Sequence, residues 1–173
     1  MKIGFIGIGL MGRWIARNRL AGGHQLTVSD LRKDSAEELL SGEASWAETP
    51  GEVAKASELI FTSLPLPRDV ESVCAGEAGI LPAAAPQSTI VDLSTTDPET
   101  IQRIADAARS KDVHLLDAPV SGGTAGAESG ADAGFAQRER GRDRSERTWS
   151  RTSAAGSDVR RDPRVRPGVR GAR

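Results

Sequence analysis

The run IGFIGIGLMG near the start of the chain limits the possible folds more than any other feature. Lys2 to Ile6 reads as a short apolar strand that delivers Gly7, Gly9 and Gly12 into the start of a helix at Met11. In such a strand–turn–helix, Gly7 permits the tight turn and Gly9 leaves room for a pyrophosphate to approach the backbone. Gly12 lets the helix pack closely on the strand. Unpaired N–H groups at the helix start, aligned with its dipole, then face the phosphates. Asp30 lies 23 residues after Gly7, at the end of a second apolar run, where a carboxylate accepts from adenosine ribose hydroxyls. A glycine pattern alone is a weak signal. The strand before it, the helix after it and the acid after the next strand together point to dinucleotide binding.

From Met1 to about Val120 strand and helix patterns alternate. Met11 to Ala21 reads as a helix stopped by Gly22-Gly23, and Gln25 to Ser29 as the second strand. Asp34 to Ser41 reads as a short acidic helix capped by Asp34, and Ala44 to Trp46 as a short strand. Thr49-Pro50 supplies an N-cap and a first-turn proline for a helix through Ala56. Glu58 to Ser63 is a nearly continuous apolar strand, as expected where both sheet faces are covered. Arg68 to Ala75 reads as helix and Gln87 to Leu93 as containing a strand. Asp97-Pro98 caps a helix through Ala108 with Ile101, Ile104, Ala105 and Ala108 on one face, and Val113 to Leu116 is the next strand. The pattern predicts an α/β, Rossmann-type, doubly wound parallel sheet over residues 1–130. Ligands of such sheets sit beyond the carboxyl ends of the strands. That places Gly7 to Gly12, Asp30, Ser63 to Pro67, Ser94 to Thr96 and Ala118 to Gly123 along one rim.

Four separated segments, FIGIGLMG, LPLPRDVESV, DLSTTDP and DAPVSGGTAGAESG, occur in an order that resembles the 3-hydroxyisobutyrate dehydrogenase-related (β-hydroxyacid dehydrogenase) family, whose wider kin include 6-phosphogluconate dehydrogenase. The resemblance covers residues 1–130. It implies an NAD- or NADP-binding domain and hydride transfer between the cofactor and a short 3-hydroxy acid or its semialdehyde. It places Gly7, Ile8, Gly9, Leu10, Met11 and Gly12 in the cofactor fingerprint, with Asp30, Leu31 and Arg32 at the ribose-reading position. It sets Leu64 and Pro65 against the cofactor and Thr95 near the nicotinamide. Ser121, Gly122 and Gly123 become the substrate-binding segment, where a hydroxyl and open N–H groups suit an anionic substrate. Taken without the family, the Gly122-Gly123 pair reads first as a plain turn.

Asp30 favours the free ribose hydroxyl of NAD and repels the 2′-phosphate of NADP, so NAD is the expected cofactor. Arg32 and Lys33 keep NADP open, since either cation can greet a phosphate or simply face solvent. His24 and His114 lie at strand starts, away from the rim, and read as structural or surface residues. Asp92 and Asp117 lie near strand ends, where a carboxylate more often fixes backbone N–H groups or a loop than moves a proton. Cys74 is the one cysteine, so no disulfide framework forms; it reads as a buried helical thiol. The apolar start is broken by glycines and followed by Arg13 and Arg17, unlike an export signal, and no stretch has membrane-span length. The cytoplasm is therefore the expected setting.

Composition changes sharply after Gly130. Residues 1–130 carry 11 Lys or Arg against 18 Asp or Glu, whereas residues 131–173 carry 12 arginines against 6 acids and no lysine. That Arg-rich stretch lacks apolar periodicity and cannot bury enough surface to offset chain ordering, so it reads as a disordered tail, with at best a ragged helix around 136–149. The family continues at this point into further strands and a helix bearing a catalytic lysine in a GxGxxxKxxN motif. No such motif occurs here, and the last lysine is Lys111. The expectation is a truncated domain lacking the helical C-terminal half, whose tail is an out-of-frame product in preference to a genuine solvated tail. Nucleic-acid binding by the arginines is the third reading, disfavoured by their abrupt onset inside a motif. Activity of the chain as written is doubtful on this view, and a non-catalytic cofactor-binding module is the alternative. A homo-oligomer is expected only where the helical domain is present.

Overall fold

The computed structural model describes residues 1–121, 123–129, 133–134 and 152–153. Its centre is a six-stranded parallel sheet in the order β3-β2-β1-β4-β5-β6, with β1 Lys2–Ile6, β2 Gln25–Ser29, β3 Ser45–Trp46, β4 Leu59–Thr62, β5 Thr89–Asp92 and β6 His114–Asp117. The order reverses between β1 and β4, as in a doubly wound fold.

Side-chain alternation divides the strands between two cores. Ile3, Phe5, Phe61, Val91 and Leu116 join one cluster with Ile15 and Ala16 of α1 (Gly12–Ala21) and Leu39 of α2 (Glu37–Ser41). Ile6, Ile60, Ile90 and Leu115 join the other. There they meet Val53 and Ala54 of α3 (Pro50–Lys55), Val70 and Cys74 of α4 (Pro67–Ala75), and Ile80 and Leu81 of α5 (Ile80–Ala83). Ile101, Ile104, Ala105 and Ala108 of α6 (Pro98–Ser110) complete this second core. Both faces are covered, which accounts for the nearly continuous apolar run of β4.

The predicted caps form at two helices. Asp97 Oδ1 accepts from the Thr100 N–H at 2.9 Å. Thr49 Oγ1 accepts from the Glu52 N–H at 3.2 Å, while Glu52 Oε2 accepts from the Thr49 N–H at 3.3 Å. Such a reciprocal pair satisfies two otherwise orphaned donors. The expected cap by Asp34 does not form. A 3₁₀ turn, Lys33–Ala36, precedes α2, and Asp34 lies inside it with its carboxylate on the adjacent Ser35 N–H at 3.0 Å. Helix α5 was not anticipated, because its single turn contains Pro82, which the sequence presents as a breaker.

After β6 come β7 (Val120–Ser121) and α7 (Gly123–Ser129). Helix α7 lies on α1, where Asn18 Nδ2 donates to the Ala127 carbonyl at 2.9 Å. Within the Arg-rich segment, β8 (Ala133–Gly134) pairs antiparallel with β7 and with β9 (Thr152–Ser153). The expected disorder and ragged helix otherwise fall on positions outside the described residues. Among the described residues no helix is long and apolar enough to cross a membrane.

Cys74 is fully buried, and its thiol is pushed far above the ordinary range by burial and then by the charge of Asp92. The native chain should therefore resist a thiol reagent at pH 8, while the same chain in denaturant reacts with one equivalent. Rapid labelling of the folded protein would contradict this burial.

Candidate cofactor site

The carboxyl ends of the five longer strands form the predicted rim. Gly7 follows β1 directly with φ +94°, and its N–H donates to the Ser29 carbonyl at 3.0 Å. A Cβ on Gly7 would lie 2.2 Å from the Ser63 carbonyl oxygen, so both backbone conformation and space require glycine. A Cβ on Gly12 would lie 1.9 Å from the Gly7 carbonyl oxygen; the helix is seated directly on the turn that precedes it. Gly9 differs. Nothing stands within 4 Å of a Cβ there, and the residue is exposed. The turn is therefore closed on its two structural glycines and open at the middle one, the profile of a cradle for a phosphate.

Helix α1 begins without a side-chain cap and without an acid in its first turn. Its leading N–H groups and dipole thus face the rim unopposed by a carboxylate.

Asp30, at the end of β2, is half-buried and already anchored. Its Oδ2 accepts from the Ile8 N–H at 2.7 Å and its Oδ1 from the Arg32 N–H at 3.0 Å. The carboxylate ties the glycine turn to the second rim loop, and each oxygen retains a lone pair for a ribose hydroxyl. Ile8 contributes only backbone at this place, since its side chain is in the core at 2% exposure. Lys33 is engaged elsewhere: its Nζ lies 5.5 Å from the centre of the Trp46 ring and 4.0 Å from Glu48. Arg32 is exposed at the rim.

The loop after β4 carries Leu64, half-buried, and Pro65, exposed; the loop after β5 carries Thr95, also exposed. The exposed large apolar side chains, apart from Met1 at the chain start, are Leu10, Leu31 and Leu66 among the described residues. Each follows a strand at the same rim, where a planar ring can cover it. Leu66 was not singled out from the sequence; its place between two prolines was the available signal.

Asp92 fixes loops, as its strand-end position suggested. It is wholly buried, and its Oδ1 accepts from Thr62 Oγ1 at 2.8 Å and from the Ser94 N–H at 3.1 Å. Its Oδ2 accepts from Thr96 Oγ1 at 2.9 Å, and Ser94 Oγ in turn accepts from the Leu64 N–H at 2.9 Å. Sequence reasoning set Ser94 on the rim but not its bond to Leu64, and it missed Thr62, a polar residue buried at the end of an apolar strand.

Asp117 lies beside Asp92 in the β5–β6 register. Gly123 has φ +65° and opens α7, and Ser121 closes β7. Gly122 lies outside the described residues. His24 and His114 stand at the opposite end of the sheet, before β2 and at the start of β6. Burial, the N-terminal ammonium and Arg19 all hold His24 below the usual histidine range.

Residues 2–135 match the model of the NAD binding domain of 6-phosphogluconate dehydrogenase. The chain belongs to that family. It carries an NAD(P)-binding domain of the kind shared with the 3-hydroxyisobutyrate dehydrogenase-related proteins. A probable mitochondrial 3-hydroxyisobutyrate dehydrogenase of Dictyostelium discoideum is 43% identical over 126 residues, which are 73% of this chain and 39% of that protein. An NAD-dependent L-serine dehydrogenase of Pseudomonas aeruginosa is 36% identical over 126 residues, covering 73% of this chain and 42% of the relative. A solved structure of Psf3 in complex with NADP+ and 2-OPP superposes with a TM-score of 0.70 at 31% identity, over 74% of this chain and 45% of that one. The chain thus spans about two-fifths of the length of these curated relatives. NAD and NADP both accord with the domain.

Proposed function

We propose that the chain is the cofactor-binding part of an oxidoreductase of the 3-hydroxyisobutyrate dehydrogenase type, which moves a hydride between NAD and a short 3-hydroxy acid or its semialdehyde. The observation that carries this reading is the set of groups gathered at the carboxyl ends of β1 and β2, beside the strand-order reversal. There the open Gly9, the uncapped start of α1 and the anchored carboxylate of Asp30 share one rim.

When bound, the nicotinamide supplies the hydride chemistry. The N–H groups at the start of α1 hold the pyrophosphate, and Asp30 accepts from the ribose hydroxyls. Leu64 and Pro65 give a stiff apolar wall, with Thr95 beside the reacting ring. Ser121, Gly122 and Gly123 receive the substrate carboxylate. NAD is favoured over NADP because Asp30 repels a 2′-phosphate, and because Lys33, one of two nearby cations, is held against Trp46 and Glu48. We assign no proton transfer to residues 1–130, and we place the protein in the cytoplasm with a small hydroxy acid as its partner.

Calorimetric titration of the full 173-residue chain with NAD and NADP tests the reading. Saturable binding of NAD, tighter than of NADP, is expected. No saturation with either nucleotide, on folded protein, would overturn it. Saturable NAD binding with no hydride transfer from a short 3-hydroxy acid to NAD, nor from NADH to its semialdehyde, would instead favour a binding module without turnover.

A further inference from the structure

We propose that Asp92 is a positioning residue for the nicotinamide half of the cofactor, acting by locking the loops that leave β4 and β5 to one another. The inference rests on the cofactor-domain reading above. Asp92 is at 0% exposure, and its hydrogen bonds come from three neutral donors: Thr62 Oγ1, the Ser94 N–H and Thr96 Oγ1. A buried carboxylate costs free energy that an apolar side chain of similar volume would avoid. What it adds is geometry.

Thr62 ends β4, and Ser94 and Thr96 lie in the loop after β5, so one side chain joins two neighbouring strand ends. The link continues outward. With its N–H held by Asp92, Ser94 presents Oγ to the Leu64 N–H. The two loops joined in this way carry Leu64, Pro65 and Leu66 on one side and Thr95 on the other. The glycine turn and Asp30 belong to β1 and β2, across the reversal of strand order. A dinucleotide lying over that reversal places one nucleoside on each half. Loosening the Asp92 network should therefore disturb the nicotinamide side and leave the ADP side intact.

The decisive comparison is NAD against ADP-ribose, which keeps the pyrophosphate and both riboses but lacks the nicotinamide. Both are titrated calorimetrically into the full-length wild type, Asp92→Ala, Asp92→Asn and Ser94→Ala. Ser94→Ala and Asp92→Ala should weaken NAD about tenfold, the scale of one or two lost hydrogen bonds, and leave ADP-ribose within about twofold. Asp92→Asn should bind NAD within about threefold of wild type, because an amide still accepts from Thr62 and Ser94 and donates to Thr96. If Asp92→Ala does not fold, Ser94→Ala decides.

Parallel loss of NAD and ADP-ribose in the variants, with wild type binding both, would overturn this inference alone and reduce Asp92 to a fold-holding role. Unchanged NAD affinity in Ser94→Ala would overturn it too. Failure of the wild type to bind NAD would remove the cofactor-domain reading and this inference with it.

Discussion

Gly9→Ala should fold like the wild type and lose NAD. An alanine Cβ at this position meets nothing within 4 Å, and the backbone there has no positive φ to strain it. The stability change should fall within the roughly ±0.5 kcal/mol usual for exposed sites, and a thermal melt should coincide with wild type to about 2 °C. The same methyl group stands where the pyrophosphate approaches the turn, and NAD affinity should fall at least about a hundredfold. Full-strength NAD binding by Gly9→Ala would show that the phosphates do not pass over this residue.

The neighbouring glycine makes the contrast. Gly12→Ala brings a Cβ to 1.9 Å from the Gly7 carbonyl oxygen, and a backbone atom cannot swing away as a side chain can. Either α1 lifts off its strand or the turn shifts, at a cost of about 2–3 kcal/mol, the upper range for overpacking. Its melting temperature should drop by several degrees, with cofactor binding lost alongside. One substitution separates binding from folding; the other joins them. Identical melting behaviour in the two variants would mean that the close seat of α1 on Gly7 is not what holds this end of the fold.

Much of this architecture is legible in the chain because it follows from local rules. Ile101, Ile104, Ala105 and Ala108 recur at helical spacing and are buried together, and Asp97-Pro98 marks the start of their helix. The glycine turn is readable because two of its three glycines answer hard steric demands that no other residue meets. The wiring between rim loops is harder to read. Ser94 and Leu64 are 30 residues apart, and only the parallel pairing of β4 with β5 brings them within hydrogen-bond reach. Lys33 looks like a cation near the ribose until the pairing of β2 with β3 sets Trp46 beside it. Asp34 shows the opposite failure, a plausible cap made irrelevant because the chain tightens into a 3₁₀ turn around it. Sequence pattern identifies which residues stand at a strand end; tertiary pairing decides which hydroxyl or ammonium they meet.

Asp30 carries the largest expected change in cofactor choice, and its two functions can be separated. Asp30→Ala removes the ribose acceptor and the negative charge, and it also strips the Ile8 N–H of its partner at 2.7 Å. A part-buried donor left unpaired costs about 1–3 kcal/mol, so this variant should be less stable as well as weaker for NAD. Asp30→Asn keeps an oxygen for the Ile8 N–H while abolishing the charge. Its amide nitrogen cannot accept from the exposed Arg32 N–H, which turns to water instead, so it should melt between Asp30→Ala and wild type. Its preference for NAD over NADP should fall by about thirtyfold, the equivalent of roughly 2 kcal/mol of relieved repulsion. With the carboxylate gone, the exposed Arg32 becomes a charge available to a 2′-phosphate, so Asp30→Asn combined with Arg32→Ala should give back part of the NADP gained. If the ratio of NAD to NADP affinities stays the same in both Asp30 variants, the carboxylate serves only to brace the glycine turn. The choice of cofactor would then lie with other residues.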